Sequence, residues 1–190
     1  MRLRLVLLTA LLSAGCATTP TPEVAPESAW TARQEILSEL QRWRLSGRIS
    51  VKTEDEVGHG HLQWSQKREQ YDIRISAPFG SGTVRLAGDQ AAAALWLDEQ
   101  APIHSSDPER LLYRRTGWWI PIGALRHWIL GLPAPGLPSE RELDPYGRIE
   151  KLRQAGWQIR FLDYERRDGL ELPGRVFVSK GEAEVKVVVQ

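Results

Sequence analysis

Histidine is the residue type in this sequence whose spacing comes closest to that of a metal site. His59 and His61 are two residues apart on a predicted strand, so both side chains point to the same face and could bind one metal ion. No third ligand is indicated near them, and neither His104 nor His127 has a partner at a useful spacing. We therefore predict that the chain holds no metal.

Glycine and serine occur together at Gly80-Ser81-Gly82, but without the spacing of a catalytic motif. A phosphate loop is followed by a helix that begins with Lys-Ser or Lys-Thr, and a nucleophile elbow reads Gly-x-Ser-x-Gly. The carboxylates fall in turns and on alternating strand faces, so no paired acid–base site is indicated. We predict that the chain is not an enzyme and needs no cofactor.

Cys16 is the only cysteine, and its surroundings indicate a covalent modification. Arg2 and Arg4 flank the start of an apolar stretch, residues 3–12, which is shorter than the ~20 residues that a membrane-spanning helix needs. This pattern is typical of a cleaved signal peptide. The segment Ser13-Ala14-Gly15-Cys16 resembles a lipobox, although Ser13 stands where leucine is usual. We predict a signal peptide over 1–15 and acylation of Cys16; the alternative is an ordinary signal peptide with an unrelated cysteine.

The mature chain is expected to be almost neutral and to contain no disulfide. Removal of residues 1–15 takes away two of the 25 basic residues and none of the 24 acidic ones, which leaves a net charge of −1. A nearly neutral chain argues against nucleic-acid binding. Residues 16–29 combine the acylated cysteine with a segment rich in proline and threonine, which we predict to be a flexible tether. Ala17, where aspartate would resemble an inner-membrane retention signal, favours the outer membrane.

Residues 30–190 are predicted to form a single domain that is mainly β. A first helix is expected from about Trp30 to Arg44, with Thr31 and Gln34 as a capping box. Short alternating runs follow, separated by turn residues, such as Tyr71-Ile73-Ile75. Many short strands with hairpin-length connections indicate an antiparallel sheet that curls toward a barrel.

The region between about Ser105 and Pro138 interrupts this pattern with two predicted helices. Ser106 and Glu109 are spaced as a capping box, with Pro108 in the first turn. The second helix, Ile122 to Leu130, carries an apolar stripe. The concave face of the sheet is the obvious place to bury that stripe, so these helices are expected to act as a plug or lid over a hydrophobic cavity.

Eight tryptophans are present against three phenylalanines, which is an unusual ratio. Tryptophan suits pocket walls, interfaces and ordinary cores alike. Because five of them are distributed over the predicted sheet and lid, a shared hydrophobic cavity is at least as reasonable as simple core packing. These five are Trp64, Trp118, Trp119, Trp128 and Trp157.

Phe79 is predicted to lie at the tip of a loop between two strands, held by Pro78 and Gly80. Two interpretations are open. The ring could fold back onto the mouth of the barrel, or it could project and contact a bilayer. A single inserted phenylalanine contributes only about 1.5–3 kcal/mol, which is enough to orient a contact but not to anchor the protein.

Three segments resemble the LolB family, the outer-membrane receptors of the lipoprotein-sorting (Lol) pathway. The most specific match is Ala124-Leu125-Arg126-His127-Trp128-Ile129-Leu130-Gly131-Leu132-Pro133, where the family reads close to L-R-x-W-I-L-G-L-P. Trp43-Arg44-Leu45-Ser46-Gly47-Arg48-Ile49 and Pro78-Phe79-Gly80-Ser81 support it, with phenylalanine where leucine is common in the family's protruding loop. Order and spacing agree over essentially the whole mature chain.

This resemblance implies an incomplete, open antiparallel β-barrel with lid helices over a hydrophobic cavity, like that of LolA and LolB, and a role in lipoprotein transport. The chain would be a monomer, anchored by its lipid at the periplasmic face of the outer membrane. It would accept triacylated lipoproteins from the periplasmic carrier LolA and insert them without nucleotide hydrolysis. Phe79 would meet the membrane, and the cavity or lid would be lined by Trp64, Trp96, Trp128, Ile129, Leu130 and Trp157. The alternatives are a tethered, lipocalin-like container for a small apolar ligand and a structural envelope lipoprotein.

Overall fold

The computed structural model describes residues 25–78 and 82–190 of the chain. Within these ranges it contains three helices, α1 (Pro26–Ser38), α2 (Pro108–Thr116) and α3 (Ile122–Trp128). It also contains eleven strands: β1 (Arg42–Lys52), β2 (Val57–Lys67), β3 (Gln70–Ser76), β4 (Thr83–Gly88), β5 (Ala93–Leu97), β6 (Ile103–Ser105), β7 (Ser139–Leu143), β8 (Ile149–Gln154), β9 (Trp157–Arg167), β10 (Leu170–Lys180) and β11 (Ala183–Val189). The mainly β class is confirmed.

All eleven strands belong to one antiparallel sheet in the order β6-β5-β4-β3-β2-β1-β11-β10-β9-β8-β7. The end strands β6 and β7 do not pair with each other within the described residues, so the barrel is open as predicted. Because neighbouring strands alternate in direction, their turns fall at two rims. The upper rim holds the β1–β2, β3–β4, β8–β9 and β10–β11 turns; the lower rim holds the β2–β3, β4–β5 and β9–β10 turns.

Alternation along the strands separates a concave apolar face from a convex polar one. On β3, Tyr71, Ile73 and Ile75 are buried, whereas the residues between them are more exposed. On β11, Val185 and Val187 are fully buried. This pattern repeats around the sheet and confirms the period-two interpretation of the sequence. The apolar side chains of the concave face form a single core together with residues from all three helices.

Helix α1 begins and ends earlier than the sequence pattern indicated. It starts at Pro26, whose fixed φ suits a first helical turn, and Ala25 precedes it without a side-chain cap. The last four residues of the predicted tether are therefore helical, and the expected capping box at Thr31 is not used. Residues from Arg42 onward are in β1, because there they pair with β2. Trp30 and Leu37 are the buried residues of α1, and Ile36 is exposed.

Helices α2 and α3 lie in the connection from β6 to β7, as predicted, and pack over the concave face. The N-cap of α2 is Asp107, whose carboxylate accepts a hydrogen bond from the backbone N–H of Arg110, rather than Ser106. The predicted apolar stripe is buried, at Ile122 and Leu125 on α3 and at Ile129 and Leu132 in the segment after it, because the helix ends at Trp128 rather than at Leu130. Among the described helices, none is both long enough and apolar enough to span a bilayer.

Candidate functional site

The space between the sheet and the lid helices is lined entirely by apolar side chains. Seven come from the sheet: Ile49, Leu62, Trp64, Ile73, Ile75, Val84 and Leu86. Four come from the lid: Leu112, Ile120, Ile122 and Leu125. The void that they enclose measures only about 20 Å³, roughly room for one water molecule. The expectation of a hydrophobic cavity under the lid is therefore corrected, because the lid side chains fill that space.

The two lid helices are joined through one partly buried carboxylate. Glu109 Oε1 in the first turn of α2 accepts a hydrogen bond of 3.0 Å from the backbone N–H of Gly123, at the start of α3. Burial is the largest influence on Glu109 and raises the pKa of its carboxyl, and the backbone donors of Gly123 and Ile122 partly oppose that rise. The carboxylate thus satisfies donors that α3 leaves unpaired at its N-terminus. It makes α2 and α3 one unit.

The segment after α3 is fixed to the sheet by the side-chain amide of Gln154 on β8. Gln154 Oε1 accepts hydrogen bonds from Trp128 Nε1 at 2.9 Å and from the backbone N–H of Ala134 at 2.8 Å. Its Nε2 donates to the carbonyls of Ala134 and Leu137 at 2.8 and 3.1 Å. Gln154 is almost completely buried. All four of its hydrogen-bonding positions are used, so this end of the lid is the fixed end.

The lower side of the lid is held by an ion pair. Arg126 Nη1 lies 2.7 Å from Glu69 Oε2 on the β2–β3 turn, and Gln90 Nε2 donates to the same carboxylate oxygen at 2.8 Å. Arg126 Nε also donates to His127 Nε2 at 3.0 Å. Burial, followed by the charge of Arg126, lowers the pKa of His127 to about 4. His127 is therefore neutral at physiological pH, and it is half-buried.

Tyr71 places a polar atom at the lower end of the same apolar interior. Its hydroxyl is buried and has no hydrogen-bond partner within the described residues. Burial raises the pKa of Tyr71 to about 12, with smaller contributions from the charges of Asp89 and Glu109. The hydroxyl therefore stays protonated, so it carries no charge into the interior.

Three tryptophans predicted for the cavity lie in the buried interior. Trp64 lines the void, packs on Trp43 with ring centroids 5.4 Å apart, and donates from Nε1 to Gln66 Oε1 at 2.9 Å. Trp128 is completely buried and lies 6.3 Å from Trp157. The Trp128–Trp157 pair sits beside the void instead of lining it.

Ile129 and Leu130 are buried but also lie away from the void. Leu130 lines a separate groove of about 670 Å³ between α1 and the segment after α3. The groove contains both apolar and charged side chains, among them Leu37, Trp43 and Arg126. These two residues thus pack the fixed end of the lid.

Trp96 is corrected: it lies on the convex face. On β5 its neighbour Leu95 pairs with Leu86 and points inward, so Trp96, paired with Arg85, points outward. The Arg85 guanidinium lies 4.8 Å from the Trp96 ring centroid and forms an ion pair with Asp72 at 2.6 Å. This is a cation–π contact at the surface.

Trp118 and Trp119 occupy the upper rim, in the connection between α2 and α3. Trp118 packs against Gly58 of β2: a Cβ at Gly58 would lie 2.7 Å from Trp118 Cζ2, so only glycine leaves room for this ring. Trp119 is half exposed and makes an edge-to-face contact with Tyr113 at 5.2 Å. The prediction of a cavity role is therefore corrected for Trp119. The Trp119 and Tyr113 rings line a surface groove of about 730 Å³.

The β3–β4 connection is described only at its two ends. The backbone N–H of Ala77 donates to the Gly82 carbonyl at 2.8 Å, and that of Thr83 donates to Asp98 Oδ1 at 2.7 Å, so the base of the loop is fixed at the upper rim. Pro78 is exposed. The predicted contact residues Phe79 and Gly80 lie outside the described residues, as does Cys16.

His59 and His61 are both exposed on the outer face of β2. No group of three or more histidine, cysteine or acidic side chains placed to hold a metal ion occurs in the part of the chain that the structure describes. Sequence reasoning missed Gln154 and Gly58, and it assigned Glu109 only to a capping box of the first lid helix. A weak signal existed for Gln154, because it shares its strand face with the apolar residue Leu152.

Comparisons with known proteins agree with this geometry. The family model described as "Outer membrane lipoprotein LolB" matches residues 41–190. An outer-membrane lipoprotein LolB of Nitrosococcus oceani is 38% identical over 191 residues, covering 99% of this chain and 95% of that protein. The LolB of Alkalilimnicola ehrlichii is 40% identical, covering 100% and 95%. Among solved structures, a LolA superfamily protein from Nitrosomonas europaea superposes with a TM-score of 0.55 at 13% identity, covering 88% of this chain and 92% of the other. That likeness confirms the open-barrel fold.

Proposed function

Because this chain belongs to the LolB family of outer-membrane lipoproteins, we propose that it receives triacylated lipoproteins from the periplasmic carrier LolA and releases them into the outer membrane. The acyl chains of the client bind inside the curved sheet, in the space that the lid fills in this structure. The protein acts as a monomer, and a lipid on Cys16 holds it at the periplasmic face of the membrane. No nucleotide is hydrolysed.

The observation that carries the proposal is the apolar lining of the interior, shared between a sheet and a separately connected lid. An acyl chain can enter only if Leu112, Ile120, Ile122 and Leu125 leave, because the void itself is about 20 Å³. The four hydrogen bonds of Gln154 fix residues 128–137, whereas α2 and α3 are held mainly by apolar contacts and a few polar ones at Glu109 and Arg126. The lid therefore lifts about its fixed end.

The energies of this exchange nearly balance. Exposing four large apolar side chains costs about 6–12 kcal/mol, at about 1.5–3 kcal/mol for each. Burying a single acyl chain at ~0.8 kcal/mol per methylene returns on the order of ten kcal/mol. The lid side chains thus compete with the client for the same apolar surface. A modest net affinity suits a protein that must pass its client on to a bilayer without an energy source.

Phe79 is proposed to touch the membrane during release, since it belongs to the loop whose fixed base lies at the upper rim. The change Phe79→Glu places a charge where contact with hydrocarbon is needed. We expect this variant to accept a lipoprotein from LolA and to fail to deliver it to vesicles. Delivery at the normal rate would remove the loop from the mechanism.

The alternatives make different demands on the interior. Containers for small apolar ligands usually have a preformed cavity, whereas the void of about 20 Å³ here admits a ligand only when the lid lifts. A purely structural lipoprotein needs only a filled core and no transfer. Transfer of a client to this protein is therefore the property that separates the proposal from the structural alternative.

The direct test mixes this protein with LolA that carries a radiolabelled lipoprotein, without ATP, and follows the label by size separation. To locate the acyl chains, a photo-crosslinking amino acid replaces Val84, which lines the void, or its neighbour Arg85, which points to the convex face. We expect movement of the label to this protein and crosslinks to acyl chains from position 84 only. Absence of transfer, or equal crosslinking from both positions, would overturn the proposal.

A further inference from the structure

The lid carries an exposed aromatic pair that the core does not explain. Tyr113 and Trp119 are 46% and 49% exposed, although Trp119 lies between the less exposed Trp118 and the buried Ile120. Their rings are 5.2 Å apart at an interplanar angle of 64°. Two large amphipathic rings left together at a surface are typical of an interface.

Two cations accompany this pair. Arg114 and Arg115 occupy the last turn of α2, directly after Tyr113, and both are exposed. Neither forms an ion pair with any carboxylate in residues 25–78 and 82–190. Tyrosine and tryptophan beside unpaired arginine match the headgroup region of a bilayer, where aromatic rings sit at the water boundary and guanidinium groups meet lipid phosphate.

The position of the pair within the fold indicates the same partner. Tyr113 and Trp119 line a groove with the β1–β2 turn, with Trp157 at the β8–β9 turn, and with Lys180 and Ala183 at the β10–β11 turn. All of these turns belong to the upper rim, which also carries the β3–β4 loop proposed above to touch the membrane. The same groove is lined by three acidic residues of the β1–β2 turn, Glu54, Asp55 and Glu56, whereas Arg114 and Arg115 are not among its lining residues. An anionic surface is therefore favoured at the two arginines of the lid and disfavoured at the β1–β2 turn.

We propose that Tyr113, Arg114, Arg115 and Trp119 form a second membrane-contact surface on the lid, which binds the headgroup region of a bilayer that contains anionic phospholipid. This deepens the proposed function and rests on it for its biological meaning. Residues 118–120 connect the surface to the interior: Trp118 packs on Gly58, Trp119 meets the lipid, and Ile120 fills the space needed by acyl chains. Contact with the bilayer therefore pulls on the segment that closes the interior.

The test uses the acylated full chain, in which Cys16 is blocked, reconstituted into vesicles of phosphatidylethanolamine with phosphatidylglycerol. A spin label is attached at Trp119→Cys or, as a matched control, at Trp96→Cys on the convex face. Circular dichroism checks that both variants fold. Accessibility to oxygen and to a water-soluble nickel chelate reports the depth of each label. We expect the label at position 119 to favour oxygen by roughly tenfold over the label at position 96.

Equal exposure of both labels to the nickel chelate would overturn the proposed surface. The proposal would also be overturned if the label at position 119 became immobilised only when loaded carrier was added. The double change Arg114→Glu/Arg115→Glu should return the label at 119 to water in these vesicles; an unchanged depth would remove the arginines from the surface. Client transfer is measured in the same samples. If the client is transferred while the label at position 119 stays in water, the membrane-contact surface alone is contradicted. If that label enters the bilayer but the client is not transferred, the proposed function alone is contradicted.

Discussion

Trp128 Nε1 donates a hydrogen bond of 2.9 Å to Gln154 Oε1, and this contact joins the last residue of α3 to the last residue of β8. The two residues are 26 positions apart in the sequence and both are almost completely inaccessible to water. Because the same amide also binds the backbone of Ala134 and Leu137, one side chain fixes the end of the lid. Everything that moves in the proposed mechanism moves relative to this point.

Replacing Gln154 with leucine should destabilise the protein strongly. The change leaves the Trp128 indole N–H and the backbone groups of Ala134 buried without partners, and each such group costs about 1–3 kcal/mol. We expect the free energy of unfolding in urea to fall by at least about 3 kcal/mol. Gln158→Leu on the exposed face of β9 is the control and should stay within about 0.5 kcal/mol of the wild type. Equal stability of the two variants would contradict the role of Gln154 as a clamp.

Trp64 and Trp96 allow a comparison between the two faces of the sheet with one residue type. Trp64→Ala removes a buried ring and leaves Gln66 without its indole donor, so we expect a loss of about 3–5 kcal/mol. Trp96→Ala removes a surface contact with Arg85, which is worth about 0.5–1 kcal/mol. Chemical denaturation of both variants measures the difference. A larger loss for Trp96 would mean that the faces of β5 are assigned the wrong way round.

Gly58→Ala should loosen the lid. The new methyl group would stand 2.7 Å from Trp118 Cζ2, so the ring must move, at about 1–3 kcal/mol for overpacking. We expect faster hydrogen exchange of the backbone amides of α2 and α3. In a Trp118→Leu background the same substitution should have little further effect, because the clashing ring is gone. Equal effects in both backgrounds would show that the contact with Trp118 is not the cause.

Glu109→Gln should change the pH dependence of stability. Burial raises the pKa of the Glu109 carboxyl above its ordinary value of 4.5, so the folded protein binds the proton more tightly than the unfolded chain. The stability that this tighter proton binding gives the folded protein is fully present below pH 4.5 and is lost as the pH rises through the folded-state pKa of Glu109. The glutamine can still accept from Gly123. We expect the free energy of unfolding of the wild type, relative to that of the variant, to fall between pH 4 and pH 7. A rise over the same range would contradict the raised pKa of Glu109.

His127 should change the pH dependence of stability in the direction opposite to Glu109. Its folded-state pKa of about 4 lies below the ordinary value of 6.5, so the unfolded chain binds the proton more tightly. Stability from neutral His127 is therefore present above pH 6.5 and is lost as the pH falls toward 4. NMR titration of the imidazole should give a midpoint near pH 4. In His127→Asn, where the amide oxygen can still accept from Arg126, the acid-side loss should be smaller; a midpoint near 6.5 would refute the assignment.

The sequence predicted the sheet well, because alternation is a local signal. Ile73 and Ile75 point inward as their spacing indicated, and the same alternation on β5 puts Trp96 on the face opposite to Leu95. The error at Trp96 came from assigning it to the cavity through family resemblance in spite of its strand face. The start of α1 was missed because Pro26, which suits a first helical turn, also reads as part of a proline-rich tether.

Long-range contacts in the candidate site could not be predicted in the same way. Gln154 finds partners 17 to 26 positions away, and Glu109 binds a backbone group 14 positions along the chain. No periodicity encodes such pairs. The nearly filled interior was also beyond sequence reasoning, because whether Leu112 and Ile122 leave space depends on how closely the lid approaches the sheet.

The separation of β6 from β7 allows the width enclosed by the curved sheet to vary. In a closed barrel, widening would rupture a ladder of backbone hydrogen bonds, whereas here the two margins can part while every neighbouring pair of strands stays joined. The peptide that links those margins is the same stretch that bears α2 and α3. In the proposed mechanism, raising the cover and enlarging the bore are therefore a single motion, and we expect one protein to accommodate clients whose hydrocarbon tails differ in bulk.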